Sequence, residues 1–171
     1  LHRALGWRDP ARRVPNDTAT LFYIASMEKQ FIATAILALE DEGRLRTTDS
    51  LPSFFENVPS DKRAITLDQL LSHTSGLGLY GWDPVRRDWL VEDRDQVVHG
   101  ILQSRPAHPP GSQFDYQNVN YLLLAAVVER VSGLTWGAFV RQRFLQPCAM
   151  RDTHVGWDPR VLRERMAWST G

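Results

Sequence analysis

The sequence predicts a mostly helical protein with a few short strands, and three observations support this. The chain has 171 residues, 43% of them hydrophobic and 23% charged, which is enough for one domain with a hydrophobic core. Residues 27–42 and 119–131 are rich in apolar side chains and contain no glycine or proline, as is typical of helices. Extended apolar segments, in contrast, are short and lie between turn residues.

Three segments are predicted to be strands. Residues 3–8 and 20–24 alternate short apolar runs with turns, including Asp9-Pro10. Residues 114–116, Phe-Asp-Tyr, follow a loop with three prolines and precede a strong helical pattern. Two strands are therefore expected near the start of the chain and one before a later helix.

The first predicted helix, 27–42, ends before Gly43, a residue that commonly terminates helices. Its middle, residues 31–39, is apolar on every face. This pattern favours a helix that runs through a core rather than along a surface.

Five more helices follow. Thr66-Leu-Asp-Gln69 is a capping-box signature for a short helix that closes near His73. The later helices are expected over residues 93–104, 119–131, 135–143 and, as a short helix, 159–166. No internal repeat, low-complexity segment or linker interrupts the chain, so a single domain over residues 1–171 is predicted.

Charge and apolar-segment length exclude several classes of function. Twenty basic and twenty acidic residues balance, so no net field draws the chain to nucleic acid. The longest apolar stretches, 31–39 and 121–128, fall short of the ~20 residues that span a bilayer. Cys148 is the single cysteine, which excludes an internal disulfide; we expect it to be buried and inert. The histidine spacings do not match a zinc hydrolase, and Gly-x-Ser-x-Gly does not occur.

Ser26 and Lys29 form a candidate nucleophile and base. Of the 20 basic residues only Lys29 and Lys62 are lysines, and lysine, unlike arginine, can lose its proton. Positions i and i+3 of a helix share a face, and a helix N-terminus disfavours an ammonium group. A neutral Lys29 could thus take the Ser26 proton for attack on a carbonyl. The alternative is an N-capping serine followed by a solvated lysine.

Tyr116 and Asn118 form a second candidate pair. A phenol beside a cation can act as a second base or proton relay. An asparagine both donates and accepts, so it suits a substrate amide as well as a lysine. The alternative is that Tyr116 ends a strand with its ring packed, while Asn118 caps the following helix.

Read in order, these motifs form a wider pattern. The components are FYIASMEKQF at 22–31, ITLDQLLSHTSGL at 65–77, Pro110-Gly, FDYQN at 114–118, YLLL at 121–124, VSG at 131–133 and FLQPCAM at 144–150 followed by Asp152-Thr. This run resembles the class C β-lactamase-related serine hydrolases, which include penicillin-binding DD-peptidases and carboxylesterases. The resemblance covers residues 5–156.

The resemblance implies an α/β (α+β) serine β-lactamase/DD-peptidase-like fold, of which this segment is mostly the helical subdomain. Ser26 matches the acylated serine of the family and Lys29 its activating lysine. Tyr116 matches the tyrosine that shares the general-base role, and Asn118 the asparagine that contacts substrate. No cofactor and no metal are implied. His73-Thr-Ser-Gly-Leu77 matches a family signature that we interpret as a structural turn, with His73 a hydrogen-bonded residue rather than a base.

The resemblance also implies that the chain is a partial domain. A third family motif, of Lys-Thr-Gly or His-x-Gly type, is expected beyond position 171, and a leading helix and strand before Leu1. In the family, the strand that carries this third motif supplies one of the two oxyanion-hole donors. Loss of one such donor costs about 100- to 1,000-fold in rate.

We therefore expect a serine hydrolase that forms an acyl-enzyme with amide, ester or β-lactam substrates. The alternative is a non-catalytic fragment or pseudoenzyme that binds a peptide, a β-lactam or a partner chain without turnover. Expected partners are a small-molecule or peptide substrate and an oligomeric or complementing chain. The resemblance slightly favours a periplasmic or secreted location, with a cytoplasmic one left open.

Overall fold

A computed structural model describes residues 3–78, 94–155 and 164–167, which fall into two compact units. The first unit comprises Leu1–Glu28 and Arg141–Gly171, and the second comprises Lys29–Val140. The prediction that residues 1–171 form one partial domain stays a prediction.

The first unit contains the strands. A two-stranded antiparallel sheet pairs β1 (Trp7–Asp9) with β2 (Val14–Pro15), with an irregular register within β1. Further along, Leu21 forms an isolated parallel bridge with Met166. A 3-10 helix, Ala25–Glu28, and a π-helix, Arg141–Leu145, also lie in this unit, and Glu164 and Arg165 are helical.

The structure confirms the three predicted strands to different extents. The strand at 3–8 is confirmed only in part, because pairing occupies Trp7–Asp9. The strand at 20–24 is reduced to the single bridge at Leu21. The strand at 114–116 is wrong: the segment has no strand partner, and the Asp115 N–H instead donates to the carbonyl of His73 at 2.8 Å.

The second unit is built around one long helix. Its α-helices are α1 (Lys29–Asp41), α2 (Leu67–Leu71), α3 (Arg94–Gln103), α4 (Asn118–Ser132) and α5 (Trp136–Val140), with 3-10 helices at Leu51–Ser53 and Ser60–Lys62. Each of the other four α-helices packs on α4, which buries eight residues. Among the described residues no single helix is long and apolar enough to cross a membrane. The prediction of a mostly helical segment with a few short strands is confirmed.

Helix α1 is buried on one face only. Its buried residues, Ile32, Ala35, Ile36 and Leu39, have the i, i+3, i+4, i+7 spacing of an amphipathic helix. Leu37 points away from this face and is 52% exposed. The prediction that α1 runs through a core on all sides is therefore wrong in this structure, because its partners α4 and α5 cover a single face.

The predicted capping box of α2 is confirmed. The Thr66 hydroxyl accepts from the Gln69 backbone N–H at 3.3 Å, and the Gln69 side-chain oxygen accepts from the Thr66 N–H at 3.2 Å. Both bonds satisfy donors that a helix N-terminus leaves without intrahelical partners. The α2 helix and the turn that follows it carry His73 toward α4.

Cys148 corrects a further expectation. The sequence suggested a buried, inert thiol, but Cys148 is exposed. It lies in the turn after the π-helix, where its backbone N–H donates to the carbonyl of Phe144 at 3.2 Å. A surface turn of this kind leaves the side chain in solvent.

Candidate active site

Ser26 lies in the 3-10 helix Ala25–Glu28, three residues before the start of α1, and its side chain is exposed. The residue before it, Ala25, has φ +47°. A non-glycine residue in the left-handed region is uncommon and costs of order 1 kcal/mol or more. Such strained positions cluster at functional sites, so the backbone at Ala25 fits a reactive position for Ser26.

Lys29 is half-buried and held by residues that precede and begin α4. Its ammonium or amine nitrogen Nζ donates to Asn118 Oδ1 at 2.8 Å. The same Nζ lies 5.2 Å from the ring centroid of Tyr116 and 5.6 Å from that of Tyr121. Both distances are within the range of cation–π attraction. The structure therefore brings three predicted site residues, Lys29, Tyr116 and Asn118, into one cluster.

The non-functional interpretation of Lys29 as a solvated lysine does not fit this geometry. A side chain that is half-buried, bonded to an amide oxygen and flanked by two rings is held in one place. Holding a long side chain costs about 2 kcal/mol of rotamer entropy, which these contacts must offset.

The alternatives for Tyr116 and Asn118 also fail. Gln117, not Asn118, is the N-cap residue of α4, and its side chain makes no capping hydrogen bond. Asn118 is the first residue of α4 and uses its side chain on Lys29. Tyr116 lies outside any strand and is 47% exposed, so its ring is reachable from solvent although one side packs on His73.

His73 lies beneath Tyr116 and is buried, with φ +57°. Its Nδ1 accepts from the Gln117 N–H at 3.2 Å and lies 3.0 Å from Asn120 Nδ2. Burial lowers the pKa of His73 below its usual value, and the nearby charge of Lys29 lowers it further. His73 is hydrogen-bonded and favoured in its neutral form, as expected for a structural residue of the turn.

Sequence reasoning missed Tyr121. Its ring faces Lys29 Nζ, and its hydroxyl donates to the carbonyl of Leu71 at 3.1 Å. Burial raises the pKa of Tyr121, so its phenol stays protonated and supplies a π face rather than a base. In the sequence, Tyr121 begins an apolar run and looks like a core residue; only its i+3 relation to Asn118 on a helix could have indicated the site.

A buried polar pair was missed as well. Asn120 is fully buried within α4, and its Oδ1 accepts from the Ser75 hydroxyl at 2.6 Å. Ser75 Oγ in turn accepts from the Leu77 N–H at 3.2 Å. A buried amide needs such partners, because leaving it unpaired costs ~1–3 kcal/mol. The signal in the sequence was an asparagine inside a strongly apolar helix.

Gly76 allows the loop of residues 105–111 to pack closely against the turn that carries His73. Its φ is +73°, and a Cβ added there would lie 2.1 Å from the carbonyl oxygen of His108. The carbonyl of Gly76 accepts from the N–H groups of Ala107 and His108 at 2.9 and 3.3 Å. Both the backbone conformation and the close approach require glycine at this position.

The described ranges 3–78, 94–155 and 164–167 hold no group of three or more His, Cys, Asp or Glu side chains that could bind a metal ion. The cluster around Lys29 offers an amine, a phenol and an amide. These are groups for proton transfer and hydrogen bonding to a carbonyl compound.

Comparison with known proteins places this cluster in context. The family model described as Beta-lactamase matches residues 1–171. The chain is similar to PbpX of Bacillus subtilis (strain 168), a member of the penicillin-binding protein and β-lactamase family, at 33% identity over 158 residues. This alignment covers 91% of the chain and 38% of PbpX.

Two solved structures show the same fold. The β-lactamase/D-alanine carboxypeptidase of Yersinia pestis, complexed with citrate, matches with a TM-score of 0.84 at 26% identity, over 99% of the chain and 50% of that protein. The octameric penicillin-binding protein homologue of Pyrococcus abyssi matches with a TM-score of 0.79 at 25% identity, over 95% of the chain and 39% of that protein. The chain thus spans half or less of each of these three proteins.

Proposed function

Because the chain belongs to the beta-lactamase family of serine hydrolases, we propose that Ser26 is its nucleophile and forms an acyl-enzyme with an amide, ester or β-lactam. The observation that carries the proposal is the position of Lys29 Nζ, bonded to Asn118 Oδ1 at 2.8 Å and set against the ring of Tyr116. A basic nitrogen held in this way can take a proton from a hydroxyl, and Ser26 precedes Lys29 by three residues in the sequence.

The proposed acylation proceeds by proton transfer and carbonyl addition. Neutral Lys29 takes the Ser26 hydroxyl proton as Oγ bonds to the carbonyl carbon of the substrate. The bond from that carbon to the leaving nitrogen or oxygen then breaks, and Tyr116 relays the proton that Lys29 took to the leaving group, which returns Lys29 to its neutral form. Water later adds to the acyl ester, releases the acid and returns Ser26 to its starting state.

Asn118 has two tasks in this scheme. Its Oδ1 accepts from Lys29 and so orients the amine. Its Nδ2 group can donate to a carbonyl oxygen of the substrate, which suits amide-containing ligands. One side chain thereby links the position of the base to the position of the substrate.

Exposure of Ser26 and Tyr116 supports access from solvent to these groups. The proposed substrates are small molecules or peptides, and the octameric Pyrococcus homologue supports an oligomer as a further proposal. Since the chain covers 38% of PbpX, the activity of this segment by itself is part of the proposal.

The proposal is tested with two acylating probes, a fluorescent penicillin and a fluorophosphonate, followed by intact mass measurement and peptide mapping. We expect one adduct, on Ser26, that is lost in Ser26→Ala and kept in Ser53→Ala, another exposed serine. Folded wild-type protein that binds the fluorescent penicillin reversibly but carries no adduct would instead indicate a non-catalytic binding protein.

A further inference from the structure

We propose that His73 is a positioning residue for Tyr116, holding the backbone on both sides of it; this rests on the function proposed above, in which Tyr116 moves a proton. His73 does not touch substrate in this scheme. It acts through Tyr116, because the turn after α2 places the carbonyl and the Nδ1 atom of His73 within hydrogen-bond distance of the residues on either side of Tyr116.

Two hydrogen bonds from one residue flank Tyr116. The carbonyl of His73 accepts from the Asp115 N–H at 2.8 Å, and Nδ1 accepts from the Gln117 N–H at 3.2 Å. Neither neighbour of Tyr116 can shift without breaking one of these bonds. Because residues 114–116 have no strand partner in the structure, these bonds replace a sheet ladder in fixing the segment.

The imidazole ring also packs on the phenol. The ring centroids of His73 and Tyr116 lie 4.4 Å apart with a 34° tilt, and those of His73 and Tyr121 lie 5.1 Å apart. His73 is buried while Tyr116 is 47% exposed, so the imidazole forms an inner surface on which the outer ring rests.

The hydrogen bonds at Nδ1 determine the tautomer of His73. The Gln117 backbone N–H can only donate, so Nδ1 accepts from it. On the far side, the Ser75 hydroxyl donates to Asn120 Oδ1, and Ser75 Oγ accepts from the Leu77 N–H. The amide of Asn120 must then turn its NH₂ group toward His73 Nδ1. With Gln117 N–H and Asn120 both donating, Nδ1 carries no proton, and the neutral ring has its proton on Nε2.

Protonation would therefore break the arrangement. A proton on Nδ1 would face two donors, and it would arrive beside the positive charge of Lys29. The other groups facing the ring are Tyr116 and Tyr121, which are uncharged as phenols, and Asp115, whose charge acts in the opposite direction. Burial and Lys29 together keep the pKa of His73 below its ordinary value. The hydrogen bonds to Nδ1 that hold the backbone beside Tyr116 are therefore intact at neutral pH and are lost on acidification.

Two substitutions separate the hydrogen bond from the ring. His73→Asn keeps an acceptor near the Nδ1 position and tolerates φ +57°, but removes the ring. His73→Phe keeps a ring and removes the acceptor. His99→Asn is the matched control, because it removes an exposed histidine of α3 in the same unit.

The readout is the rate constant of Ser26 acylation by the fluorescent penicillin between pH 5 and 8, with urea unfolding of each variant alongside. At pH 7.5 we expect losses of about 10-fold for His73→Asn and about 100-fold for His73→Phe, since displacement of a base by about 1 Å has effects of this size. The ratio of wild-type to His73→Asn rates should then fall as the pH drops below 6.5. His99→Asn should match wild type throughout.

A ratio that does not change with pH, or an Asn variant as fast as wild type, would overturn the positioning role. If His73→Phe does not fold, the pH dependence of the Asn variant still decides the question. Absence of any Ser26 adduct in wild-type protein would instead overturn the proposed function, and the positioning role with it. The wild-type protein therefore distinguishes the two outcomes, because it forms the adduct if only the positioning role is wrong.

Discussion

Lys29 lies between an amide oxygen and two aromatic rings, all supplied by residues 116–121. The i, i+3 spacing of Ser26 and Lys29 indicated a nucleophile and base but left open a simple helix cap. The contacts from residues 116–121 hold the half-buried Lys29 in place, and they could not be predicted from spacing because Asn118 lies 89 residues away in the sequence. Asn118 was identified from its motif, whereas Tyr121 was not, since a tyrosine that begins an apolar run looks like any core residue.

A change of charge at Asn118 tests the role of its contact with Lys29. Asn118→Asp keeps the shape and the acceptor but adds a negative charge, which favours the ammonium form of a neighbouring lysine. We expect Ser26 acylation to slow about 10-fold or more at pH 7 and the acid limb of the rate profile to move to higher pH.

Stopped-flow fluorescence with the labelled penicillin measures these rates. Asn57→Asp, at an exposed position of the same unit, makes the same change in charge and should leave the rates unaltered. Equal slowing in both variants would show that net charge rather than the contact is responsible.

Gly76 and Gly43 form a natural pair for testing the loop contact. Both have positive φ, +73° and +69°, but only a Cβ at Gly76 would strike another residue, the carbonyl of His108. We expect Gly43→Ala to lower the free energy of unfolding by about 1 kcal/mol through backbone strain alone. Gly76→Ala should cost a further ~1–3 kcal/mol, because the backbone of the neighbouring loop must move.

Urea unfolding followed by circular dichroism gives both values. Equal losses in the two variants would mean that the approach of residues 105–111 to Gly76 is not part of the native packing.

At the level of elements, the helices followed from local rules. Long glycine- and proline-free runs, the capping box and the stop at Gly133, with φ +75°, all act over a few residues, so the positions of α2, α3 and α4 could be predicted closely. The strand at 114–116 could not be excluded in the same way. Its backbone hydrogen bonds go to His73, more than forty residues earlier, and no local pattern reveals that partner.

The capping box of α2 supports the turn that carries His73. Thr66→Ala removes the acceptor for the Gln69 N–H, so the free energy of unfolding should fall by about 1 kcal/mol. Thr34→Ala is the control, because the Thr34 hydroxyl bonds only to the carbonyl of Gln30 one turn back and lies on the exposed face of α1. That change should be neutral or slightly stabilising. A Thr66 variant as stable as the Thr34 variant would contradict the cap.

At the scale of the molecule, the site groups Lys29, Tyr116 and Asn118 belong to one compact unit organised by α4. The family model matches the whole chain, whereas the alignment with PbpX includes 38% of the length of that protein. The mostly helical character was predictable from composition and periodicity. The one-sided burial of α1 was not, since an apolar helix pattern does not specify how many of its faces meet a partner, and Leu37 remains exposed.

The most direct test of the account is the acylation rate of Ser26 in Lys29→Arg. Arginine retains a long side chain and a donor for Asn118, but it cannot release a proton at accessible pH and so cannot act as a base. If Lys29 is the base that activates Ser26, the rate with the fluorescent penicillin falls by about 100- to 10,000-fold at pH 7.5. An arginine variant that acylates Ser26 as fast as wild type would contradict the central claim.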